Sequence, residues 1–579
     1  MITQRHETDV LIIGGSAAGM YAAITASDQG AKVMIIAKAL LGRGGCSSTF
    51  GFMGGPAGVT FKSTPKGERL VQLDSTQDKS FADKVKYYGH YLVDQEFAEK
   101  AWSYTNTFCH RMEEFGLYIR RTDDGTLVAA GDSGYALISP KYGNTGKGIM
   151  DVMRSQIFRR QIPVLEESMG VSLIESNGHV GGAIVYDYMN GVVHEVRAKS
   201  VILACGHVNW LWKRSTATRE QAGNGLAMAF NAGAELAGIE MIWWHIADMA
   251  RPAAWMRSHM YPNPFPMSTE SIEYYNSNGE FFFSGNMYKA AQPSYYLQCK
   301  YLMKEIHKGL ARTDGGYFAY FGKIDPKVLD EYAVSHTFMR KLGLDPQNDM
   351  MECAMTCHQQ RGGVVMDHSM ATRVEGLFVA GSIAADFITG IITVCWEAET
   401  AAMSALNYAR THELMSVSEP AKPLERRLNN LIDAAPANPI TPSAIKHEIR
   451  ELMGREMDYV KNGEKIQRAI DGLRHVRENM LPRIHIPSKD RVANYDLMDA
   501  LDLPDMLNVA ELISVAALNR KESRASFYRT DYPVVDNKNW LKNIYLSGRM
   551  DDVKVRLGDV NLKYVRPADE TADFLNSEY

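Results

Sequence analysis

The stretch DVLIIGGSAAGMYAAI, residues 9–24, decides the fold. Residues 8–13 read as a buried strand. Gly14-Gly15-Ser16-Ala17-Ala18-Gly19 follows, then small residues that continue as a helix over 17–29, ending near Gly30. AKVMIIAK (31–38) supplies the next parallel strand, so the chain opens on a βαβ unit. The turn is one residue away from the dinucleotide fingerprint G-x-G-x-x-G, because Ser16 takes the place of the middle glycine. In that fingerprint the strand-to-helix turn aims backbone N–H groups and a helix N-terminus at a pyrophosphate. Gly14 makes the tight turn and Gly19 lets helix and strand approach. Ser16 is small, and its hydroxyl can donate to a phosphate oxygen. The plain alternative is an ordinary tight βα turn. The acid that would bind a ribose at the end of the second strand is missing, since Ala37 occupies that place, which argues against an ordinary NAD site.

The rest of the chain sets the limits. Its 579 residues exceed what one core supports and suggest about three or four structural units. A net charge of −5 offers nothing to nucleic acid or to an anionic membrane. No uninterrupted apolar stretch reaches the length of a membrane span. The first strand starts almost at once, leaving no room for a cleavable signal, so a cytoplasmic protein is expected. The seven cysteines are scattered and contain no CxxC pair, which fits reduced thiols and no iron–sulfur cluster on this chain. Cys353 and Cys357 read as free thiols. The 31 methionines read as flexible core filler.

Along the chain, residues 40–58 form a glycine-rich loop and 78–118 alternate helical patterns. Residues 180–206 read as a β-hairpin followed by a strongly buried strand, and helical periodicity returns at 223–238. Residues 246–352 are rich in Tyr, Phe, Asn, Pro and Met, as expected of an inserted cap. Strand-and-turn character resumes at 362–382, followed by a helix. The first domain is therefore expected to be discontinuous, over 1–245 and 353–415. The cap covers 246–352, a charged helical domain 416–545, and a mixed tail 546–579.

Several ordered motifs carry a family resemblance. IIAKALLGRGGCSSTFGFMGG (35–55) resembles the flavin loop of the fumarate reductase, succinate dehydrogenase, L-aspartate oxidase and adenylylsulfate reductase flavoproteins. SVILACGH (200–207) and AGNGLAMAFNAGAELAGIEMIWWH (222–245) resemble the family's strand before the "TGDG" helix and the segment ending in an active-site His. HQQRGGVVMDHSMATRVEGLFVAGS (358–382) resembles its "H-x-x-x-GGI…GLFAAGE" segment, and 507–540 its helical C-terminal domain. The resemblance implies an α/β fold with a discontinuous Rossmann-type FAD-binding domain, a cap closing over the flavin and a helical C-terminal domain. It implies FAD bound extended with its pyrophosphate at Gly14, Gly15, Ser16, Ala17, Ala18 and Gly19. Flavin contacts are implied from Ser48, Thr49, Gly54 and Gly55, and further contacts from Ala37, Lys38, Ala204, Gly206, Asn224, Gly381 and Ser382. The C-terminal domain resembles that of members working with a separate iron–sulfur subunit, so such a ferredoxin-like partner is expected.

The departures matter as much. The family's flavin-linking His in "R-S-H-T" aligns with Ser48, so noncovalent FAD is expected. The cap segment AQPSYYLQCK (291–300) lacks the catalytic Arg of the dicarboxylate enzymes, and Thr393 stands where their carboxylate-binding Arg would be. A guanidinium grips a carboxylate bidentately and Thr does not, so succinate and fumarate are disfavoured as substrates. His245 and His358 keep their motif positions and are candidate catalytic residues, with Arg361 nearby as a source of positive charge. The bland reading of each His is a hydrogen-bonded core residue. Arg251, Arg257 and His259 read mainly as cap surface, and Trp243, Trp244, Trp255 and the cap aromatics as cap core or a flat substrate pocket. The expected function is an FAD-dependent reductase or dehydrogenase coupled to an iron–sulfur partner, with a small-molecule substrate. Two alternatives stay open: an adenylylsulfate-reductase-like subunit with sulfur chemistry at flavin N5, and an electron carrier without a small-molecule substrate.

Overall fold

The computed structural model describes residues 3–48, 60–63, 69–72, 81–82, 85–86, 89–119, 129–130, 135–136, 145–248, 272–285, 295–311, 316–320, 322–323, 341, 343–345, 347–388, 390–568 and 570–577. The opening unit is β1 (Thr3–Ile13), α1 (Ala17–Asp28) and β2 (Val33–Ile36). Residues Ala17–Ala26 of α1 are all buried, as expected of a helix that is apolar on every side and lies between layers. The two glycines of the turn have distinct jobs. Gly14 has φ +132°, and a Cβ there would lie 2.2 Å from the Ala204 carbonyl oxygen. A Cβ on Gly19 would lie 1.7 Å from the Gly14 carbonyl oxygen. Only glycine lets the helix start this close to its strand.

The first domain continues with β3 (Val164–Leu165), β4 (Ser168–Ser176), β5 (His179–Asp187) and β6 (Val192–Leu203). The expected hairpin and buried strand over 180–206 are two strands rather than three, because β6 runs unbroken from the hairpin into the core. After α2 (Asn224–Asn231) and β7 (Leu236–Ala237) the chain enters a second sheet. Its strands are β8 (Ile242–Asp248), β9 (Ile272–Tyr275), β10 (Phe281–Gly285), β11 (Gly316–Tyr320) and β12 (Met351–Gln360), with α3 (Tyr295–His307) between β10 and β11. This antiparallel sheet has the order β8-β12-β11-β9-β10. Its strands β8 and β12 straddle the expected cap limits at 246 and 352, since pairing needs both entry and exit segments.

The chain returns through β13 (Gly363–Val364), β14 (Leu377–Val379) and α4 (Ile391–Ala409). In the main seven-stranded sheet the order is β3-β2-β1-β6-β5-β4, with β14 also pairing β6. The pairs β2–β1, β1–β6 and β6–β14 are parallel, so Ile13, Ile36, Leu203 and Val379 bring their strand ends to one edge. In open α/β sheets ligands bind beyond the carboxyl ends of such strands. The C-terminal domain contains α5 (Lys422–Asp433), α6 (Pro442–Glu456), α7 (Gly463–His475) and α8 (Tyr495–Asn519), then the hairpin β15 (Lys542–Arg549) and β16 (Asp552–Asp559). Strand β15 pairs with β7, which ties the C-terminal region to the first domain. Among the described residues no helix is long and apolar enough to cross a membrane.

Candidate functional site

A cleft opens at the carboxyl ends of β1, β2 and β6. Its walls are Gly14–Ser16, Ala37–Leu40, Gly44–Ser47, Ser168–Gly170, Ala204–His207, the start of α2, and Gly381-Ser382. Of the residues expected there, Gly14, Gly15, Ser16, Ala18, Ala37, Lys38, Ala204, Gly206, Asn224, Gly381 and Ser382 line it. Ala17 and Gly19 do not. Ala17 is fully buried and Gly19 packs on the Gly14 carbonyl, so both shape the turn from below. Ser48 is also outside the wall, in the turn Cys46–Ser48, with its hydroxyl donating to the Gly45 carbonyl at 3.1 Å. Thr49, Gly54 and Gly55 lie outside the described residues, as do Arg251, Trp255, Arg257 and His259.

The cradle fits an extended dinucleotide. The Ser16 side chain makes no capping hydrogen bond to α1, which leaves its hydroxyl available at the helix N-terminus. Side chains at Gly14 or Gly15 would collide with Ala204 or Ala37, so the backbone is bare at the turn. Sequence reading missed His207, Cys46 and Gln221. The Cys46 thiol donates to Gln221 Oε1 at 3.0 Å, bridging the two walls. No single residue type signalled these three; only the fold brings them together.

At the end of β2 the cleft is polar and saturated. Lys38 Nζ donates to Asn224 Oδ1 at 2.8 Å and to Asp502 Oδ1 and Oδ2 at 2.6 and 2.8 Å. Lys446 also reaches Asp502, at 3.2 Å, and Asp499 at 2.7 Å. Asn224 Nδ2 donates to Asp505 Oδ2 at 2.9 Å. Burial opposes ionisation of Asp502, but Lys38 and Lys446 outweigh it and hold its carboxyl below the usual range. Asp505 is instead pushed up to about 7, mainly by burial.

A second cluster contains two of the catalytic candidates. Arg361 is buried, with its guanidinium stacked 3.8 Å from the centroid of the Trp243 ring. Its N–H donates to the Met241 carbonyl and its carbonyl accepts from the Phe387 N–H, so the backbone is pinned on both sides. The following glycines allow this threading. A Cβ on Gly362 would lie 2.1 Å from the Ala237 oxygen, and one on Gly363 2.0 Å from the Ile383 oxygen. His358 meets Trp243 edge-on, with centroids 6.0 Å apart, and its Nδ1 is 2.7 Å from the Thr216 hydroxyl. His245 lies on β8 opposite Thr356, two residues before His358 on β12; its side chain is outside the described ones.

His207 joins cleft and cluster. It lines the cleft, and its Nδ1 accepts the Gln360 N–H at 3.3 Å. Burial, and then the Arg361 charge, push its pKa down to about 3, so it is neutral at ordinary pH. His90 is held well below its ordinary value by burial and then by Arg361, Arg524 and Lys300. It sits at φ +50°, beside Tyr91 at φ +60°, a left-handed pair that ordinary side chains seldom adopt. On the floor, buried Glu397 accepts the Gly381 N–H at 2.7 Å. Burial and the neighbouring Asp386 keep its carboxyl protonated far above the usual range. Thr393 is buried in the first turn of α4.

Family models fit both halves of the chain. The model described as "FAD binding domain" matches residues 9–395, and "Fumarate reductase flavoprotein C-term" matches 446–572. The chain belongs to this flavoprotein family. It is similar to one of the subunits of the fumarate reductase (CoM/CoB) of Methanothermobacter marburgensis, 25% identical over 95% of this chain and 99% of that one. It is 24% identical to the fumarate reductase flavoprotein subunit of Escherichia coli, covering 98% and 96%. Its fold matches E. coli quinol fumarate reductase at TM-score 0.84 with 21% identity, over 98% and 99% of the chains. Adenylylsulfate reductase from Archaeoglobus fulgidus matches at TM-score 0.75 with 20% identity, over 98% and 97%. The chain is thus an FAD-binding oxidoreductase of the fumarate reductase and succinate dehydrogenase type.

Proposed function

We propose that this chain is the flavoprotein subunit of a reductase complex that acts on an anionic substrate other than succinate or fumarate. Bound in the cleft, FAD would supply hydride or electron-pair exchange; the protein supplies position and charge. The carrying observation is the buried Arg361 stacked on Trp243, taken together with Thr393 in place of the family's carboxylate-binding Arg. A dicarboxylate needs two anchored ends, and Arg361 provides for one. His207 and His90, whose pKa values the Arg361 charge helps to lower, are held neutral and so add no positive charge of their own. His358, oriented by the Thr216 hydroxyl, is the described candidate for moving a proton, with His245 as its companion on the paired strand.

FAD is held noncovalently in this reading. The residue aligned with the flavin-linking His is Ser48, and its hydroxyl is spent on the Gly45 carbonyl. Acid precipitation checks this: flavin released to the supernatant is expected, and a yellow pellet contradicts it. An iron–sulfur protein is the proposed electron partner, in keeping with relatives named as subunits. The test is photoreduction of the holoprotein followed by anaerobic addition of fumarate, other enoates, adenylylsulfate, or an oxidised ferredoxin-like protein. Reoxidation by one small molecule supports the enzyme reading and names the substrate class. Reoxidation by the protein alone would leave an electron carrier.

A further inference from the structure

The end of the second strand is where a dinucleotide fold normally places an acid against the ribose. This chain has Ala37 there, and next to it Lys38, which lines the cleft while its ammonium is spent on Asp502 and Asn224. Asn224 itself stands where the resembling motif has Asp. Both missing carboxylates reappear one layer behind, on α8 of the C-terminal domain, as Asp502 and Asp505. We propose that the C-terminal domain completes the nucleotide site: Asp502 and Asp505, acting through Lys38 and Asn224, set the ribose end of the cleft and thereby the affinity for the adenosine half of the cofactor. This rests on the FAD reading of the cleft.

Local structure explains why α8 presents these groups. Pro504 lies inside the helix and has no N–H to give to the Ala500 carbonyl. Arg427 from α5 fills in, donating to the Ala500 and Leu501 carbonyls at 3.3 and 3.4 Å. The interrupted turn carries Asp502 and Asp505 on either side of Pro504. Every group in the network has a named partner. Lys38, Lys446 and Arg427 bring positive charge, Asp499 and Asp502 negative, and Asp505 titrates between them. Asp505 is faced by Asn224 from α2, Arg427 from α5, Lys38 from the end of β2 and Asp502 from its own helix. Ionised Asp505 accepts from Asn224 Nδ2 and leaves Asn224 Oδ1 to Lys38. Protonated Asp505 can donate to Asn224 Oδ1 and so compete with Lys38. Asp502 and Asp505 are positioning residues, since neither lines the cleft.

The test is FAD titration of the full-length apoprotein by flavin fluorescence quenching, with ADP as competitor, from pH 6 to 8. Asp502→Asn is expected to weaken FAD and ADP by the same factor, about tenfold or more. Asp499→Asn, which touches Lys446 but not Lys38, should stay within about twofold. Wild-type affinity should rise with pH through about 7, and Asp505→Asn should flatten that rise. The proposal is overturned if Asp502→Asn matches wild type, if FAD weakens while ADP does not, or if Asp505→Asn keeps the wild-type pH profile. Should Asp502→Asn fail to melt cooperatively, the Asp505→Asn profile decides. If ADP never displaces FAD from the wild type, the nucleotide reading of the cleft fails, separately from this one.

Discussion

The two ends of the site are built on opposite electrostatic plans. At the ribose end, Lys38, Lys446, Asp499 and Asp502 meet within hydrogen-bonding distance, and each charge has an opposite one. In the cluster that His207 joins to the cleft, Arg361 is stacked on an indole, and His207 and His90 are kept neutral mainly by burial. A saturated network fixes geometry but offers little charge to a ligand. A buried guanidinium stacked on an aromatic face is expected to act strongly on an anion that reaches it, because low local dielectric strengthens the interaction. The difference separates cofactor holding from substrate chemistry, and substitutions at the two ends should separate the same way.

The largest effect is expected at the turn that serves the holding end. Gly19→Val puts a side chain into the Gly14 carbonyl, and the purified protein should carry no flavin by its absorbance ratio. Next comes Arg361→Met, which should keep full flavin content and lower turnover by about 100-fold or more, the scale of losing an electrostatic contact to reacting charge. Arg361→Lys should not restore it, because an ammonium does not stack as a guanidinium does. Flavin loss in Arg361→Met would erase the proposed separation.

Acidification should separate wild type from a His207 variant. The native pKa of His207 is about 3, against 6.5 in the unfolded chain. Between these values the unfolded state binds more protons, so His207 makes stability fall as pH drops through the window. The slope is about 1.4 kcal/mol per pH unit for one such group. Urea melts of wild type and His207→Gln at pH 5 and 7 measure it, and the variant should lose less stability on acidification. The smallest effect belongs to Ser16→Ala. Loss of one hydroxyl donor should weaken FAD about threefold to tenfold, with turnover of the loaded enzyme unchanged.

Much of the holding end was legible because its rules are local. A strand, a glycine turn and a helix follow one another in sequence, and Gly14, Ser16, Ala37 and Lys38 reach the cleft as the βαβ pattern implies. Gly19 and Ala17 show the limit, since a motif residue can serve the turn without touching the ligand space. The motif spacing marked Arg361 and His358 but not Trp243 as their common neighbour, because β8 and β12 are far apart in sequence and meet only by pairing. Burial of His207 and His90 could not be read from residue type. The Lys38–Asp502 contact joins residues 464 apart and had no sequence signal.

The most direct measurement is the anaerobic reoxidation rate of the photoreduced holoprotein after saturating fumarate is added in a stopped-flow instrument. The proposed role of Arg361, with Thr393 standing where the resemblance places a carboxylate-binding Arg, predicts a rate no faster than the buffer blank, while an anionic substrate of another class reoxidises the flavin in an Arg361-dependent way. Rapid reoxidation by fumarate that persists in Arg361→Met would contradict both the assigned role of Arg361 and the exclusion of dicarboxylates.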